Sequence, residues 1–121
     1  MSKTVMIVDD EPDLLKVMSF GLKMAGYKAI TCSNSEQAVE LINKEKPDLV
    51  LLDLLMPKMS GEDICKIVKS DQKLKHIPVV FLTAILCETK EKIESIGADG
   101  YLEKPFEPEK LMEKIKELIG E

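Results

Sequence analysis

A small group of chemically reactive side chains follows short apolar stretches of this sequence. The group holds three carboxylates, one hydroxyl and one amine: Asp9, Asp10, Asp53, Thr83 and Lys104. Asp53 is the clearest signal, because it is the only charged residue in segment 49–56 and a carboxylate in an apolar segment needs a partner or a metal ion. Considered alone, such an aspartate is also typical of a strand end in solvent or of a helix cap.

Brought together, these side chains predict phosphate chemistry. Three neighbouring carboxylates repel one another and require a cation, and oxygen ligands favour Mg²⁺, or Mn²⁺, over zinc. Lys104 supplies a positive charge for an anion, and Thr83 supplies a hydroxyl donor. A carboxylate nucleophile beside a hard cation, a hydroxyl and a lysine is equipped to form an aspartyl phosphate. Glu11 has a simpler interpretation, since an acidic residue before a helix stabilises the positive end of its dipole.

The elements that position this group alternate between strands and helices. Continuously apolar runs, typical of strands buried on both faces, occupy residues 5–8, 49–52 and 79–82, and weaker strand candidates occupy residues 29–32 and 101–102. We therefore predict an α/β fold of five βα units, with a doubly wound parallel sheet. In a sheet of strand order 2-1-3-4-5, ligands bind where the order reverses, so the three aspartates converge there with the threonine and the lysine beside them.

Helices are predicted from apolar spacing and from end signals. The apolar positions are Leu14, Val17, Met18, Gly21 and Ala25 in the first helix, Ala38, Leu41 and Ile42 in the second, Ile64, Ile67 and Val68 in the third, Ile93 and Ile96 in the fourth, and Leu111, Ile115 and Leu118 in the fifth. Ser33 and Glu36 have the spacing of a capping box at the start of the second helix. Gly97 is placed to end the fourth helix, and Pro108 suits the first turn of the fifth.

The composition excludes several classes of function. The chain has 121 residues and no segment that resembles a linker, so we expect residues 1–121 to form a single domain. A net charge of -5, with 17 lysines and no arginine, disfavours nucleic acids and anionic membrane surfaces as partners. No apolar segment is long enough for membrane insertion, and the N-terminus lacks the layout of a signal peptide. Three cysteines without a C-x-x-C pair indicate reduced thiols, so we expect a cytoplasmic protein.

Four motifs that follow the predicted strands resemble the receiver domain of response regulators in two-component signalling. They are Val8-Asp9-Asp10-Glu11, Leu52-Asp53-Leu54-Leu55-Met56-Pro57 with Gly61 beyond it, Leu82-Thr83-Ala84, and the run 97–106 that contains Lys104-Pro105. The resemblance covers essentially the whole chain and is to single-domain receivers of the chemotaxis type. It implies a flavodoxin-like fold and no output domain on this chain.

The resemblance implies an acceptor and a set of metal ligands. Asp53 is expected to accept a phosphoryl group from the phosphohistidine of a sensor histidine kinase or a phosphotransfer protein. Mg²⁺ is expected to be bound by Asp10, Asp53 and the backbone carbonyl of Leu55, with Asp9 acting through a water molecule.

The resemblance also implies a switch. Thr83 and Lys104 are expected to hold the phosphoryl oxygens, and Tyr101 to turn inward in concert with Thr83. The Lys104–Pro105 peptide bond is expected to be cis. Phosphorylation would change contact with a downstream protein target, through a face that the family forms from its fourth helix, fifth strand and fifth helix. We expect self-phosphorylation and self-dephosphorylation but no metabolic turnover.

Two alternatives stay open. The residues could be the receiver part of a longer DNA-binding regulator or of a hybrid kinase. A Mg²⁺-dependent phosphatase of the haloacid-dehalogenase type also uses an aspartate nucleophile, but it would need a carboxylate where Leu55 stands.

The phosphoryl group is expected to be long-lived, because Leu55 and Ile85 stand where the family often has polar side chains. Two apolar groups should order a hydrolytic water poorly. Loading with a small phosphodonor and Mg²⁺ and then following phosphoryl loss tests this hypothesis, since Leu55→Asn should accelerate the loss and an unchanged rate would contradict it.

Overall fold

The structure, a computed structural model, describes residues 3–53, 60–83, 95, 97–104 and 106–119. Nine elements follow one another along these residues: β1 (Thr4–Val8), α1 (Pro12–Met24), β2 (Lys28–Cys32), α2 (Ser35–Glu45), β3 (Leu49–Asp53), α3 (Gly61–Ser70), β4 (Val79–Thr83), β5 (Gly100–Glu103) and α4 (Pro108–Ile119). The label α4 denotes the helix that the sequence predicts as the fifth. The fourth predicted helix, with Ile93 and Ile96, lies outside the described residues.

The five strands form one parallel sheet in the order β2-β1-β3-β4-β5, as predicted. Val8 at the end of β1 pairs with Leu52 in β3, and Asp53 pairs with Leu82 in β4. The carboxyl ends of β1, β3 and β4 therefore meet at one edge of the sheet, where polar residues that follow these strands come together.

Two apolar layers hold the sheet between its helices. Alternate strand residues belong to different layers, because successive side chains of a strand point to opposite faces. One layer joins Met6, Val8, Val50 and Leu52 to buried residues of α2 and α3. The other joins Val5, Ile7, Leu49 and Leu51 to buried residues of α1 and α4. All of β1 beyond Thr4 and all of β3 and β4 are buried, which explains why their sequences show no alternation.

The first helix is confirmed, but the side that it buries differs from the predicted one. Leu15, Met18 and Leu22 are buried, whereas Val17 is 67% exposed. Ala25 lies just beyond the last turn as the C-cap residue. The apolar residues of α1 extend beyond the side that faces the core. Their spacing alone therefore did not show which of them would be buried.

The start of α2 also differs from the prediction. Asn34 is the N-cap residue, and its side chain accepts a hydrogen bond from the Glu36 N–H at 2.9 Å. Asn34 is as good a cap as the serine before it, so the Ser33–Glu36 capping box is not needed. Ser60 caps α3 in the same way by accepting a hydrogen bond from the Asp63 N–H.

An ionic cluster secures the opposite edge of the sheet, before β4 and β5. The Lys69 ammonium donates to Asp99 Oδ2 at 2.7 Å and to the carbonyls of Ile77 at 2.9 Å and Lys75 at 3.2 Å. Asp99 Oδ2 also accepts the Val79 N–H at 2.9 Å. These bonds tie the end of α3 to the first residue of β4 and to the turn that leads into β5.

The remaining sequence predictions concern single residues. Cys32 and Cys65 are buried free thiols, and burial raises the pKa of Cys65 to about 11. Gly97 has a φ of +96°, a left-handed conformation that favours glycine. In the described part of the chain, no helix is long and apolar enough to cross a membrane.

Candidate functional site

Three aspartates meet at the carboxyl edge of the sheet. Asp9 and Asp10 follow β1, and Asp53 is the last residue of β3. Asp9 is fully buried, Asp53 is 7% exposed, and Asp10 is exposed. One carboxylate oxygen from each lies within 4.8 Å of the others. The convergence predicted from the strand order is therefore present in the fold.

The backbone and a lysine hold Asp9 in place. Its N–H donates to the Cys32 carbonyl at 3.1 Å, which continues the β1–β2 pairing by one residue. Its Oδ1 accepts the Glu11 N–H at 2.9 Å, and its Oδ2 accepts the Lys104 ammonium at 2.9 Å. A carboxylate without any exposed surface is thus hydrogen-bonded at both oxygens, which offsets the cost of its burial.

Lys104 supplies a positive charge to the carboxylates at this edge of the sheet. Besides Asp9, its ammonium lies 3.4 Å from Glu11 Oε1 and 3.6 Å from Asp53 Oδ2. Its backbone N–H donates to the Thr83 carbonyl at 2.7 Å, so β5 and β4 fix its position. Burial lowers the pKa of Lys104, but the hydrogen bond to Asp9 and the charges of Asp53, Asp9 and Glu11 outweigh burial, and the pKa lies above its ordinary value of 10.5.

Thr83 and Tyr101 lie on the neighbouring strands β4 and β5. Thr83 is 2% exposed at the end of β4, which neighbours the strand that ends at Asp53. Tyr101 pairs with Phe81 across β4 and β5, and its half-buried ring packs against the layer under α2 and α3. Leu55 and Pro105 lie outside the described residues, as do Ile85 and Cys87.

The acidic cluster suits a hard divalent cation. Its donors are carboxylate oxygens only, in the combination that Mg²⁺ and Mn²⁺ prefer. Two of the three aspartates are buried, and among the described residues they share the Lys104 ammonium with Glu11, which leaves this group of carboxylates negative. The residues therefore fit a metal ion of this class.

Glu11 takes a larger part in the site than the helix-dipole interpretation assigned to it. It is the N-cap residue of α1, yet its side chain makes no capping hydrogen bond. Instead, its carboxylate contacts Lys104 and its N–H supports Asp9. One indication of this role is present in the sequence, because Glu11 directly follows Asp9 and Asp10. Its partner Lys104 is 93 residues away, and local spacing cannot predict such a contact.

Residues 5–116 match the response regulator receiver domain family. The chain belongs to this family. The match includes every predicted motif that carries the site. Receiver domains are phosphorylation-activated switches of two-component systems rather than classical enzymes, and the family typically binds Mg²⁺ at an acidic pocket. They interact with histidine kinases and with downstream targets.

The curated relatives of this receiver domain include both short and long proteins. It is 34% identical over 122 residues to the polar-differentiation response regulator DivK of Brucella anthropi, covering 100% of this chain and 99% of DivK. It is 38% identical over 121 residues to the phosphate regulon transcriptional regulatory protein PhoB of Pseudomonas aeruginosa, covering 98% of this chain and 52% of PhoB. The chain spans about half the length of PhoB and of the other transcriptional regulators that it matches.

Solved structures share the fold of this receiver domain. A putative response regulator from Chloroflexus aurantiacus superposes with a TM-score of 0.94 at 32% identity, over 100% of both chains. The chemotaxis protein CheY4 of Vibrio cholerae superposes with a TM-score of 0.91 at 30% identity, over 98% of this chain and 99% of that one. These similarities support the predicted flavodoxin-like fold.

Proposed function

We propose that Asp53 is the phosphoacceptor of this receiver domain. The supporting observation is the buried end of β3, where the Asp53 carboxylate lies within 4.8 Å of two other carboxylates and 3.6 Å from the Lys104 ammonium. Lysine and threonine groups beside a carboxylate nucleophile are placed to receive the oxygens of a phosphoryl group. The donor is a phosphohistidine of a sensor kinase or phosphotransfer protein.

In the proposed transfer, an Asp53 oxygen attacks phosphorus and forms an O–P bond while the N–P bond of the phosphohistidine breaks. The departing imidazole keeps the electron pair of the N–P bond. The chain contributes position and charge rather than proton transfer, since the carboxylate is already the nucleophilic form. Lys104 then balances the negative charge that the phosphoryl group adds, and the Thr83 hydroxyl donates to a phosphoryl oxygen.

We assign Mg²⁺ to Asp10, Asp53 and the backbone carbonyl of Leu55, with Asp9 acting through water. Bound there, the ion would neutralise carboxylate and phosphoryl charge. The surroundings of the first two aspartates support this division of roles. Asp9 already accepts hydrogen bonds at both oxygens, whereas Asp10 is exposed.

The switch that we propose starts at Lys104. Its ammonium contacts Asp9, Glu11 and Asp53, and a phosphoryl group on Asp53 would draw it toward the new charge. Thr83 would move with the phosphoryl group, and the half-buried Tyr101 would turn further inward. The resulting change in surface alters contact with a protein target.

We propose that residues 1–121 act as one receiver domain unit that signals by contact with a separate protein. Support comes from DivK, whose length the chain matches almost completely. PhoB, with about twice the length, supports the second organisation, in which the same unit controls a DNA-binding domain of its own chain.

Covalent labelling tests the assignment of Asp53. With Mg²⁺ and acetyl phosphate as the phosphodonor, intact-mass measurement should show one phosphoryl group on the natural chain and none on Asp53→Asn. The matched control is Asp13→Asn, an exposed aspartate in the first turn of α1, which should label normally. Labelling of Asp53→Asn would remove Asp53 as the acceptor. Rapid release of phosphate without accumulation of the phosphorylated chain would favour the phosphatase alternative.

A further inference from the structure

Lys104 has three carboxylate neighbours among the described residues, and they do not hold it equally. Its ammonium donates to Asp9 at 2.9 Å and to Glu11 at 3.4 Å. Asp53 Oδ2, on the proposed nucleophile, lies 3.6 Å away, which is beyond hydrogen-bond range. In the unphosphorylated chain, the ammonium is therefore bonded to the residues that follow β1 rather than to the end of β3.

The contact between Glu11 and Lys104 is one that the fold does not require. The Glu11 side chain is 63% exposed, so water would solvate its carboxylate if the lysine were absent. Although Glu11 is the N-cap residue of α1, its side chain makes no capping hydrogen bond, and its support of Asp9 comes from the backbone N–H. Among the described residues, Lys104 is the one polar partner of the Glu11 carboxylate.

Asp9 depends on Lys104 in a way that Glu11 does not. The Asp9 side chain has no exposed surface, and loss of the ammonium would leave a buried charge without its counter-ion. Glu11 can exchange the ammonium for water at little cost, because exposed ion pairs contribute little to stability. When Lys104 turns toward a new anion, Glu11 is therefore the partner that it gives up, and Asp9 is the partner that it keeps.

A phosphoryl group on Asp53 is such an anion. It adds about 1.5 to 2 negative charges at the end of β3. The ammonium that already lies 3.6 Å from Asp53 can then bind a phosphoryl oxygen, and this contact competes with the contact to Glu11. A carboxylate that holds Lys104 only in the unphosphorylated state stabilises that state, and it lowers the affinity of the site for the phosphoryl group.

We propose that Glu11 is a positioning residue of the phosphoryl-transfer site, whose carboxylate retains Lys104 in the unphosphorylated chain and releases it to the phosphoryl group. The inference rests on the proposed role of Asp53 as the acceptor. It places an opposing force against phosphorylation in a side chain that is neither the acceptor nor a metal ligand. Replacement of Glu11 by glutamine should therefore raise the affinity of the site for a phosphoryl group.

The test compares the natural chain with Glu11→Gln, which keeps the shape of the side chain and the backbone N–H that supports Asp9. The probe is beryllofluoride, a mimic of the acyl phosphate, titrated by calorimetry at saturating Mg²⁺. Glu11→Gln should bind it about threefold more tightly, the size expected for loss of an exposed ion pair. The difference should shrink in about 0.5 M KCl, because salt screens such a pair. Equal or weaker binding to Glu11→Gln at low salt would overturn the proposal.

The matched control is Asp13→Asn, which removes one negative charge from the same end of α1. Asp13 is exposed and forms no ion pair with the described residues, so this variant should bind beryllofluoride as the natural chain does. An equal gain in affinity in Asp13→Asn would show an effect of net charge and would overturn a specific role for Glu11. Circular dichroism shows that each variant is folded, as expected for exposed positions.

NMR of the lysine ammonium groups follows the position of Lys104 itself. Beryllofluoride should shift the Lys104 ¹⁵Nζ resonance in the natural chain, because the ammonium changes partners. The shift should be smaller in Glu11→Gln, where the contact with the carboxylate is already lost, and an identical shift in the two chains would overturn the retention of Lys104.

The variant Asp53→Asn separates this inference from the proposed function on which it rests. If Asp53→Asn binds beryllofluoride as the natural chain does, Asp53 is not the acceptor and both proposals are overturned. If Asp53→Asn fails to bind it while Glu11→Gln binds with unchanged affinity, the acceptor stands and only the role of Glu11 is overturned.

Discussion

Lys104 connects the chemistry of the site to the stability of the fold. Its ammonium is the partner of Asp9, which has no exposed surface, and its own side chain is 18% exposed. Breaking such a pair leaves a buried charge without compensation, which costs more than the pair gains. The same contacts raise the pKa of Lys104, so its contribution to stability depends on pH in a defined direction.

Replacement of Lys104 should therefore destabilise the protein in a pH-dependent way. We expect Lys104→Met to lower the free energy of unfolding by about 3 kcal/mol at neutral pH, because Asp9 loses its counter-ion. The pKa of Lys104 is higher in the folded state than its ordinary value of 10.5. The difference between the natural chain and the variant should thus be complete below that value and should shrink as the pH rises through the folded-state pKa.

Urea unfolding at a series of pH values measures this difference. Lys110→Met, at an exposed position of α4, is the matched control and should change stability little at any pH. A difference between the natural chain and Lys104→Met that stays constant into strongly alkaline solution would contradict the prediction.

At the scale of elements, the two edges of the sheet are built for different tasks. The carboxyl edge brings like charges together, which favours ligand binding over stability. The opposite edge is held by Lys69, whose three acceptors on the α3–β4 connection and the turn before β5 satisfy its ammonium. β5, the strand that carries Tyr101, is thereby anchored through Asp99, the residue directly before it, and Lys104 follows its other end at the site.

Loss of this anchor should destabilise the region around β4 and β5. We expect Lys69→Met to lower the free energy of unfolding by roughly 2 kcal/mol, because two carbonyls and Asp99 lose a charged donor. Lys66→Met is the matched control, since Lys66 is on the same helix, its side chain is 59% exposed and it forms an exposed ion pair with Glu62. That variant should change stability by less than about 0.5 kcal/mol.

Urea unfolding measures both values, and amide hydrogen exchange at Val79 and Asp99 shows where protection is lost. Equal effects of the two substitutions would contradict an anchoring role for Lys69. The exchange measurement separates loss of the anchor from a general loss of helix stability, since only the former acts on the first residue of β4.

At the scale of the whole molecule, part of the net charge of -5 is concentrated where it opposes folding. Three carboxylates within 4.8 Å of one another repel, and Lys104 compensates only one charge. A divalent cation that binds the folded pocket and not the unfolded chain would relieve this repulsion. The folded state should therefore be stabilised by metal through mass action.

Thermal unfolding tests this expectation. Mg²⁺ at a hundred times its dissociation constant should add ~2.7 kcal/mol to stability, which raises Tm by about 10 °C for a domain of this size. KCl at equal ionic strength should have a much smaller effect, and the variant Asp9→Asn/Asp10→Asn should lose the Mg²⁺ response. Equal shifts with KCl and MgCl₂ would indicate screening rather than a metal site.

Much of the fold could be predicted locally because each signal belongs to a few neighbouring residues. The continuous apolar runs of β1, β3 and β4 follow from burial on both faces, and a polar residue directly after such a run must lie at the strand end. The strand order came with the resemblance to receiver domains. From that order, the meeting of Asp9 with Asp53 follows, and with it the prediction of an acidic metal pocket.

Other features depend on which surfaces meet, and only the tertiary structure decides them. Glu11 and Lys104 are 93 residues apart in the sequence. They form a pair because β1 and β5 end at the same edge of the sheet. Val17 stayed in solvent because the sheet and α4 cover only one side of a helix that is apolar on more than one. The local sequence thus shows which strand and helix positions carry apolar or charged residues. Which of these residues are buried, and which of them form pairs, depends on the packing of elements that are distant in the sequence.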